Sequence, residues 1–136
     1  MDDYGHSAPF ATRWNDNDVY GHINNAVYYE AMDTTINAWL IASGHLDVTE
    51  GDSIGVCASS SCEYVASGSF PDVLTVGLRA GRLGRTSVTW ETAIAGPGGA
   101  LLATGRFVHV FVDRETRRPA PIPDGLRSAI EERLVV

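Results

Sequence analysis

Asn24-Asn25-Ala26-Val27-Tyr28-Tyr29-Glu30-Ala31-Met32-Asp33-Thr34-Thr35-Ile36-Asn37-Ala38-Trp39-Leu40-Ile41-Ala42-Ser43-Gly44 is the stretch on which the fold turns. Tyr28, Met32, Ile36 and Leu40 recur at a spacing of four, with Ala31, Thr35 and Trp39 beside them. That is one broad apolar stripe at helical period. Asn24 and Asn25 supply N-cap chemistry, and Gly44 suits the residue just past the last turn. Roughly twenty residues make a helix about 30 Å long, the width of a small domain. One such helix amid strand-like sequence predicts a sheet wrapped around it.

On the C-terminal side, Gly44 to Gly51 reads as a connecting loop. Ile54 to Val65 alternates, with Ile54, Val56, Ala58, Ser60, Cys62 and Tyr64 predicted on one side. The small residues Ala58 and Ser60 would let a neighbour pack closely. After the turn chemistry of Gly68-Ser69-Phe70-Pro71-Asp72, Val73 to Arg82 puts Leu74, Val76, Leu78 and Ala80 together. Thr86 to Ala95 groups Val88, Trp90 and Ile94. Gly96-Pro97-Gly98-Gly99 is a hairpin turn, and Leu101 to Val112 closes the set, with Phe107, His109 and Phe111 opposite Leu102, Val108, Val110 and Val112. Pro121 and Pro123 precede Asp124, an expected N-cap for a terminal helix through Arg133. On the N-terminal side, Phe10 to Trp14 reads as a first strand and Met1 to Pro9 as a loose start. The expectation is one α+β domain over residues 1–136: an antiparallel sheet of about five strands, one long helix and a short C-terminal helix.

The chain has 136 residues, enough for one domain with a real core, and a formal net charge of −7. That charge argues against nucleic acid, because neutralising phosphates needs a basic face. No basic-then-apolar leader and no run of transmembrane length is present, so no membrane partner is expected. Cys57 and Cys62 lie five positions apart on one predicted strand. Strict alternation would send them to opposite faces, unable to pair, and a reduced cytoplasmic protein is the natural reading.

Ahead of the helix, Asp16-Asn17-Asp18-Val19-Tyr20-Gly21-His22-Ile23-Asn24-Asn25 packs two carboxylates, a glycine, a histidine and asparagines together. It imitates the opening of a calcium loop, but Tyr20 and Val27 stand where that loop needs an oxygen ligand and a bidentate Glu. A metal held by Asp16, Asp18 and His22 would lack further ligands. Turn and cap chemistry alone remains the structural alternative.

Extended through Ala26-Val27-Tyr28, the same stretch resembles the signature of the 4-hydroxybenzoyl-CoA thioesterase-like family of hotdog-fold acyl-CoA thioesterases. There an Asp-x-Asp-x-x-Gly turn precedes the central helix, followed in many members by His-Val-Asn-Asn-x-x-Tyr. Ile23 replaces the usual Val. The resemblance implies the hotdog fold and hydrolysis of an acyl-CoA or acyl-carrier thioester to acid and thiol, with no cofactor and no metal. It places the catalytic carboxylate on Asp18 and a carbonyl-polarising main-chain N–H near Asn25. Gly21, His22, Asn24 and Tyr28 then fall at the substrate.

The residues point the same way. Thioester hydrolysis needs a delivered water or nucleophile and donors for the oxyanion; a carboxylate turn leading into a helix N-terminus offers both. Asp16 would orient the turn, and Gly21 would let backbone and thioester approach. Whether Asp18 acts as nucleophile or general base stays open at this stage. So do two other classes, a non-hydrolytic acyl-thioester binding module and a hotdog hydratase or dehydratase.

Coenzyme A carries phosphates, so an acidic protein needs local cations for it. Arg79, Arg82 and Arg85 gather around one predicted turn beside Thr86 and Ser87, and Arg106 lies on the last strand. The resemblance makes this turn a nucleotide contact, with Arg85 foremost and Thr86 an added donor. A curled sheet also has open edges. With the family's habit of edge-to-edge pairing, this predicts a homodimer that doubles into a homotetramer.

Overall fold

The long helix α1, Asn25–Ala42, begins one residue after the Asn24 cap. This computed structural model describes residues 1–135. Asn24 Oδ1 accepts from the Ala26 N–H at 2.9 Å. At the other end Ser43 is the C-cap, and Gly44 takes φ +76°, the left-handed conformation a glycine adopts without penalty. Tyr28, Ala31, Met32, Thr35, Ile36, Trp39 and Leu40 are all buried, so the stripe read from the sequence is the face that packs.

Five strands form one sheet: β1 (His6–Ala11), β2 (Ser53–Tyr64), β3 (Val73–Leu83), β4 (Ser87–Ala95) and β5 (Leu101–Asp113). Their spatial order is β1-β3-β4-β5-β2, and every neighbouring pair is antiparallel. Because α1 joins β1 to β2, it carries the chain from one sheet edge to the other across the concave face. Leu74, Val76 and Leu78 of β3, Val88, Trp90 and Ile94 of β4, and Phe107 and Phe111 of β5 build the core under it. Helix α2 (Asp124–Arg133) closes one end with Leu126, Ala129 and Ile130. This is the hotdog arrangement of an α+β fold.

Several boundaries differ from expectation. The first strand starts at His6 and ends at Ala11, paired along its length with β3, while Trp14–Asp16 is a 3-10 turn. Pro9 sits on this edge strand, where its missing N–H costs no ladder bond. Met1 to Gly5 is not a loose start. The Tyr4 ring packs under the Arg79 guanidinium at 4.7 Å, in space that Gly77 leaves open on the outer side of β3. Asp124 is not the N-cap; Pro123 holds that position, and Asp124 is an acidic first-turn residue favoured by the helix dipole.

The largest correction is in β2. A register shift between Cys57 and Ser59 reverses its alternation. Ile54 and Val56 pair with Val112 and Val110, whereas Ser60, Cys62 and Tyr64 pair with Phe107, Gly105 and Ala103, on the helix side. Cys57 pairs with His109, so both cysteines lie on the same side, and both are free. The close approach expected at Ala58 and Ser60 happens at Gly105 instead. A Cβ there would lie 2.3 Å from Met32 Sδ and 2.8 Å from Thr92 Oγ1.

Candidate active site

The turn before α1 is tied down residue by residue. Asp16 is 2 % exposed, and its carboxylate accepts from the Arg13 backbone N–H at 2.7 Å and from Arg13 Nη2 at 2.9 Å. Arg13 also reaches Glu30 at 3.1 Å. The Asp16 carbonyl accepts from the Asn24 N–H at 2.8 Å, so this residue fixes where the helix cap stands. Asn17 Oδ1 accepts from the Phe70 N–H, and Asn17 Nδ2 donates to Ser69 Oγ. Ser69 Oγ in turn donates to the Gly21 carbonyl, and the Ile23 N–H donates to the Gly68 carbonyl at 2.9 Å. The loop at 68–70 therefore forms a second wall that holds the turn.

Asp18 lies at the tip, half-buried. Its N–H donates to the His22 carbonyl at 2.9 Å and its carbonyl accepts from the Gly21 N–H at 3.1 Å. Oδ1 accepts from the Tyr20 N–H at 2.9 Å. Oδ2 has no partner, and no cation pairs with Asp18, among the described residues. The reversal needs Gly21 at φ +80°, and among the described residues nothing beyond its chain neighbours lies within 4 Å of where its Cβ would be, so the surface there is open. His22 is exposed, and its imidazole bonds nothing among the described residues.

The start of α1 leaves one donor free. Asn24 Oδ1 occupies the Ala26 N–H, and the Asn24 carbonyl accepts from the Val27 N–H at 2.9 Å. Among the described residues nothing accepts from the Asn25 N–H, which stands at the positive end of the helix dipole. One short segment thus presents an unoccupied carboxylate oxygen and an unoccupied main-chain donor. That pair can activate a nucleophile and receive an oxyanion.

Other expected contacts fall elsewhere. Tyr28 is 3 % exposed, with its ring against Tyr64 and its hydroxyl accepting from the Gly68 N–H at 3.1 Å. It braces the wall. Arg85 and Thr86 lie at the β3–β4 turn, the opposite end of the sheet from Asp18. The nine residues of β4 separate those ends, about 27 Å at roughly 3.4 Å per residue. Arg79 is committed to Glu91 at 2.8 Å, while Arg82, Arg85 and Arg106 are exposed without carboxylate partners among the described residues. The sequence reading missed Arg13, Asn17, Ser69 and Tyr64 as parts of the site. Only the turn chemistry of 68–72 signalled its half of the wall, without saying where that turn docks.

Around the turn, Trp14, Val19 and Tyr20 are 80 %, 95 % and 82 % exposed. The described residues contain no group of three His, Cys, Asp or Glu side chains placed to hold a metal, and no helix long and apolar enough to cross a membrane.

The model of the thioesterase-like superfamily matches residues 12–130. No curated protein matches the chain. Among solved structures, the PA5185 protein of Pseudomonas aeruginosa is 47 % identical, with a TM-score of 0.92 over 98 % of this chain and 94 % of that one. The PA2801 protein of the same species is 30 % identical at a TM-score of 0.87, covering 93 % and 98 %. A Thermus thermophilus thioesterase crystallised with coenzyme A and zinc is 29 % identical at a TM-score of 0.78, covering 97 % and 96 %. With that model matching most of its length, the chain belongs to the thioesterase-like superfamily and is a thioester hydrolase.

Proposed function

We propose that the protein hydrolyses an acyl-CoA, or an acyl-carrier thioester, to free acid and thiol, with Asp18 as the reacting carboxylate and the Asn25 N–H as oxyanion donor. The observation that carries this reading is the pairing of unoccupied Asp18 Oδ2 with the unoccupied Asn25 N–H on one braced segment. The thioester carbon sits between them. Either Oδ2 removes a proton from water as it attacks, or Oδ2 attacks directly, the thiolate leaves from the tetrahedral intermediate to give a mixed anhydride, and water then opens that anhydride. Negative charge on the carbonyl oxygen is met by Asn25 in both routes. Gly21, His22 and Asn24 border the approach. Coenzyme A bound to the Thermus thermophilus relative supports that thiol carrier.

A second copy of the chain completes the site. Most of β2 is exposed although it is twelve residues long, and such an edge is a place for pairing. Trp14, Val19 and Tyr20 are apolar groups in need of a cover. Arg85 and Thr86 are out of reach of Asp18 within one protomer, so their contact with the nucleotide phosphates is made across the dimer. Doubling of that dimer into a tetramer is part of the same proposal. Two free cysteines fit a reducing cytoplasm.

A panel of acyl-CoAs of graded length and aromaticity, read by thiol release, tests the activity and ranks the acyl groups. Single turnover in ¹⁸O-labelled water reports on the route: label in Asp18 shows that an anhydride forms and that water opens it at the aspartyl carbon. Thioester binding without thiol release from any member of the panel would instead make the protein a binding module.

A further inference from the structure

Tyr64 ends the edge strand β2 and is 46 % exposed. Its hydroxyl donates to the Asn25 carbonyl at 3.0 Å, and its ring meets Tyr28 edge-on at 5.4 Å. Among the described residues, no other side chain from outside the helix and its cap bonds a main-chain group of the first turn. The Asn25 carbonyl and the Ala26 N–H belong to one peptide unit, and that N–H donates to Asn24 Oδ1 at 2.9 Å. A hydrogen-bond chain therefore runs from the Tyr64 hydroxyl, through the Asn25–Ala26 peptide, to the Asn24 side chain. Each bond in such a chain polarises the next.

The chain ends on the cap, and the cap decides which donor of the first turn stays free. Helix ends fray. Here the bond comes from the sheet edge, so it fastens the helix start to the sheet beside the reacting turn. We infer that Tyr64 is a positioning residue for the hydrolysis: through the Asn25–Ala26 peptide it keeps the Asn24 cap closed and the Asn25 N–H free and aimed at the substrate carbonyl. This rests on the reading of Asn25 as oxyanion donor. Burial, with the neighbouring Cys62 and Tyr29, pushes the Tyr64 phenol up to about 12, so the hydroxyl stays a donor wherever the enzyme is assayed.

An oxyanion donor is worth about 10²–10³ in kcat, and a misplaced group loses part of that. Tyr64→Phe keeps the ring and the Asn25 donor and removes only the bond that aims it. We expect kcat for acyl-CoA to fall about tenfold with KM within about twofold, since the interaction acts in the transition state. Amide hydrogen exchange at Ala26 in the substrate-free protein should quicken. Parent-like kcat, unchanged Ala26 exchange, or a rise in KM alone would each overturn the assignment, the last by making Tyr64 a binding wall. Asp18→Asn is measured alongside. A parent that releases no thiol defeats the hydrolase reading, and Ala26 exchange then still decides whether Tyr64 holds the cap. An active parent, a dead Asp18→Asn and a parent-like Tyr64→Phe leave the hydrolase standing and remove Tyr64 from it.

Discussion

Asp16 grips Arg13 at two levels, accepting its backbone N–H at 2.7 Å and its Nη2 at 2.9 Å from a position only 2 % exposed. The two carboxylates of the turn therefore carry different loads. Asp16→Asn places an amide N–H₂ against donors and leaves a buried group unpaired, which costs about 1–3 kcal/mol. A lower thermal midpoint with most of kcat retained at low temperature is the expected result. Loss of activity equal to that of Asp18→Asn, with stability unchanged, would move the chemistry to Asp16.

Asp18→Asn keeps the shape of the side chain and removes its basicity. A positioned general base is worth about 10²–10⁴ in rate, so kcat should fall at least about a hundredfold. Stability should hold, because Asp18 pairs with no cation and only Oδ1 is bonded. Freshly purified variant must be assayed, since deamidation back to Asp would imitate residual activity.

Arg85→Ala should raise KM for acyl-CoA and leave kcat nearly unchanged, the mark of lost uniform binding. An acyl-pantetheine, which lacks the nucleotide, should show no difference. Because Arg85 lies at the far end of the sheet from Asp18, the proposed contact would be one made across a dimer. Mixed dimers joining Asp18→Asn and Arg85→Ala protomers should regain one fully intact site. A fully active monomer by light scattering would end the shared-site idea.

His109 supplies a pH test. It is 3 % exposed beneath α1, its Nδ1 is buried without a partner among the described residues, and its ring stands edge-on to Trp90 at 6.1 Å. Burial lowers its pKa below 6.5, and Asp33 opposes that only in part. The unfolded chain then binds the proton more readily, so stability is fully present above about pH 6.5 and declines as pH falls through the window beneath it. His6, also lowered by burial, adds to the same trend. Thermal midpoints between pH 5 and 8 should flatten in His109→Leu; an unaltered slope would place the titration elsewhere.

Gly105→Ala tests a close approach of helix to sheet. A methyl group would collide with Met32 Sδ and Thr92 Oγ1. Overpacking of this kind costs about 1–3 kcal/mol. A denaturant midpoint at or above that of the parent would show that Met32 moves aside freely.

Much of this protein is local and could be read before any folding. The α1 stripe, the Asn24 cap, the Gly44 stop and the paired turn ahead of them depend on residues within a few positions of one another. Side-chain period and capping chemistry express such relationships directly. The buried faces of β3 and β4 obeyed the same rule because Leu74, Val76, Leu78, Val88, Trp90 and Ile94 alternate through most of each strand. In β2 the rule broke, since one extra residue between Cys57 and Ser59 inverts every face after it, and nothing in the composition announces a bulge.

What joins distant parts came only with the tertiary structure. Strand order put β1 and β2 at opposite edges and made α1 cross the sheet. The same order placed Gly68, Ser69 and Phe70 against the turn that holds Asp18, brought Tyr64 to Asn25, and sent Arg85 to the other end. These pairs are separated by 39 to 53 positions where they bond, as for Tyr64 with Asn25 and Phe70 with Asn17. Their meeting is set by how the sheet curls and which edge each strand takes, a property of the whole chain's packing that no short stretch encodes.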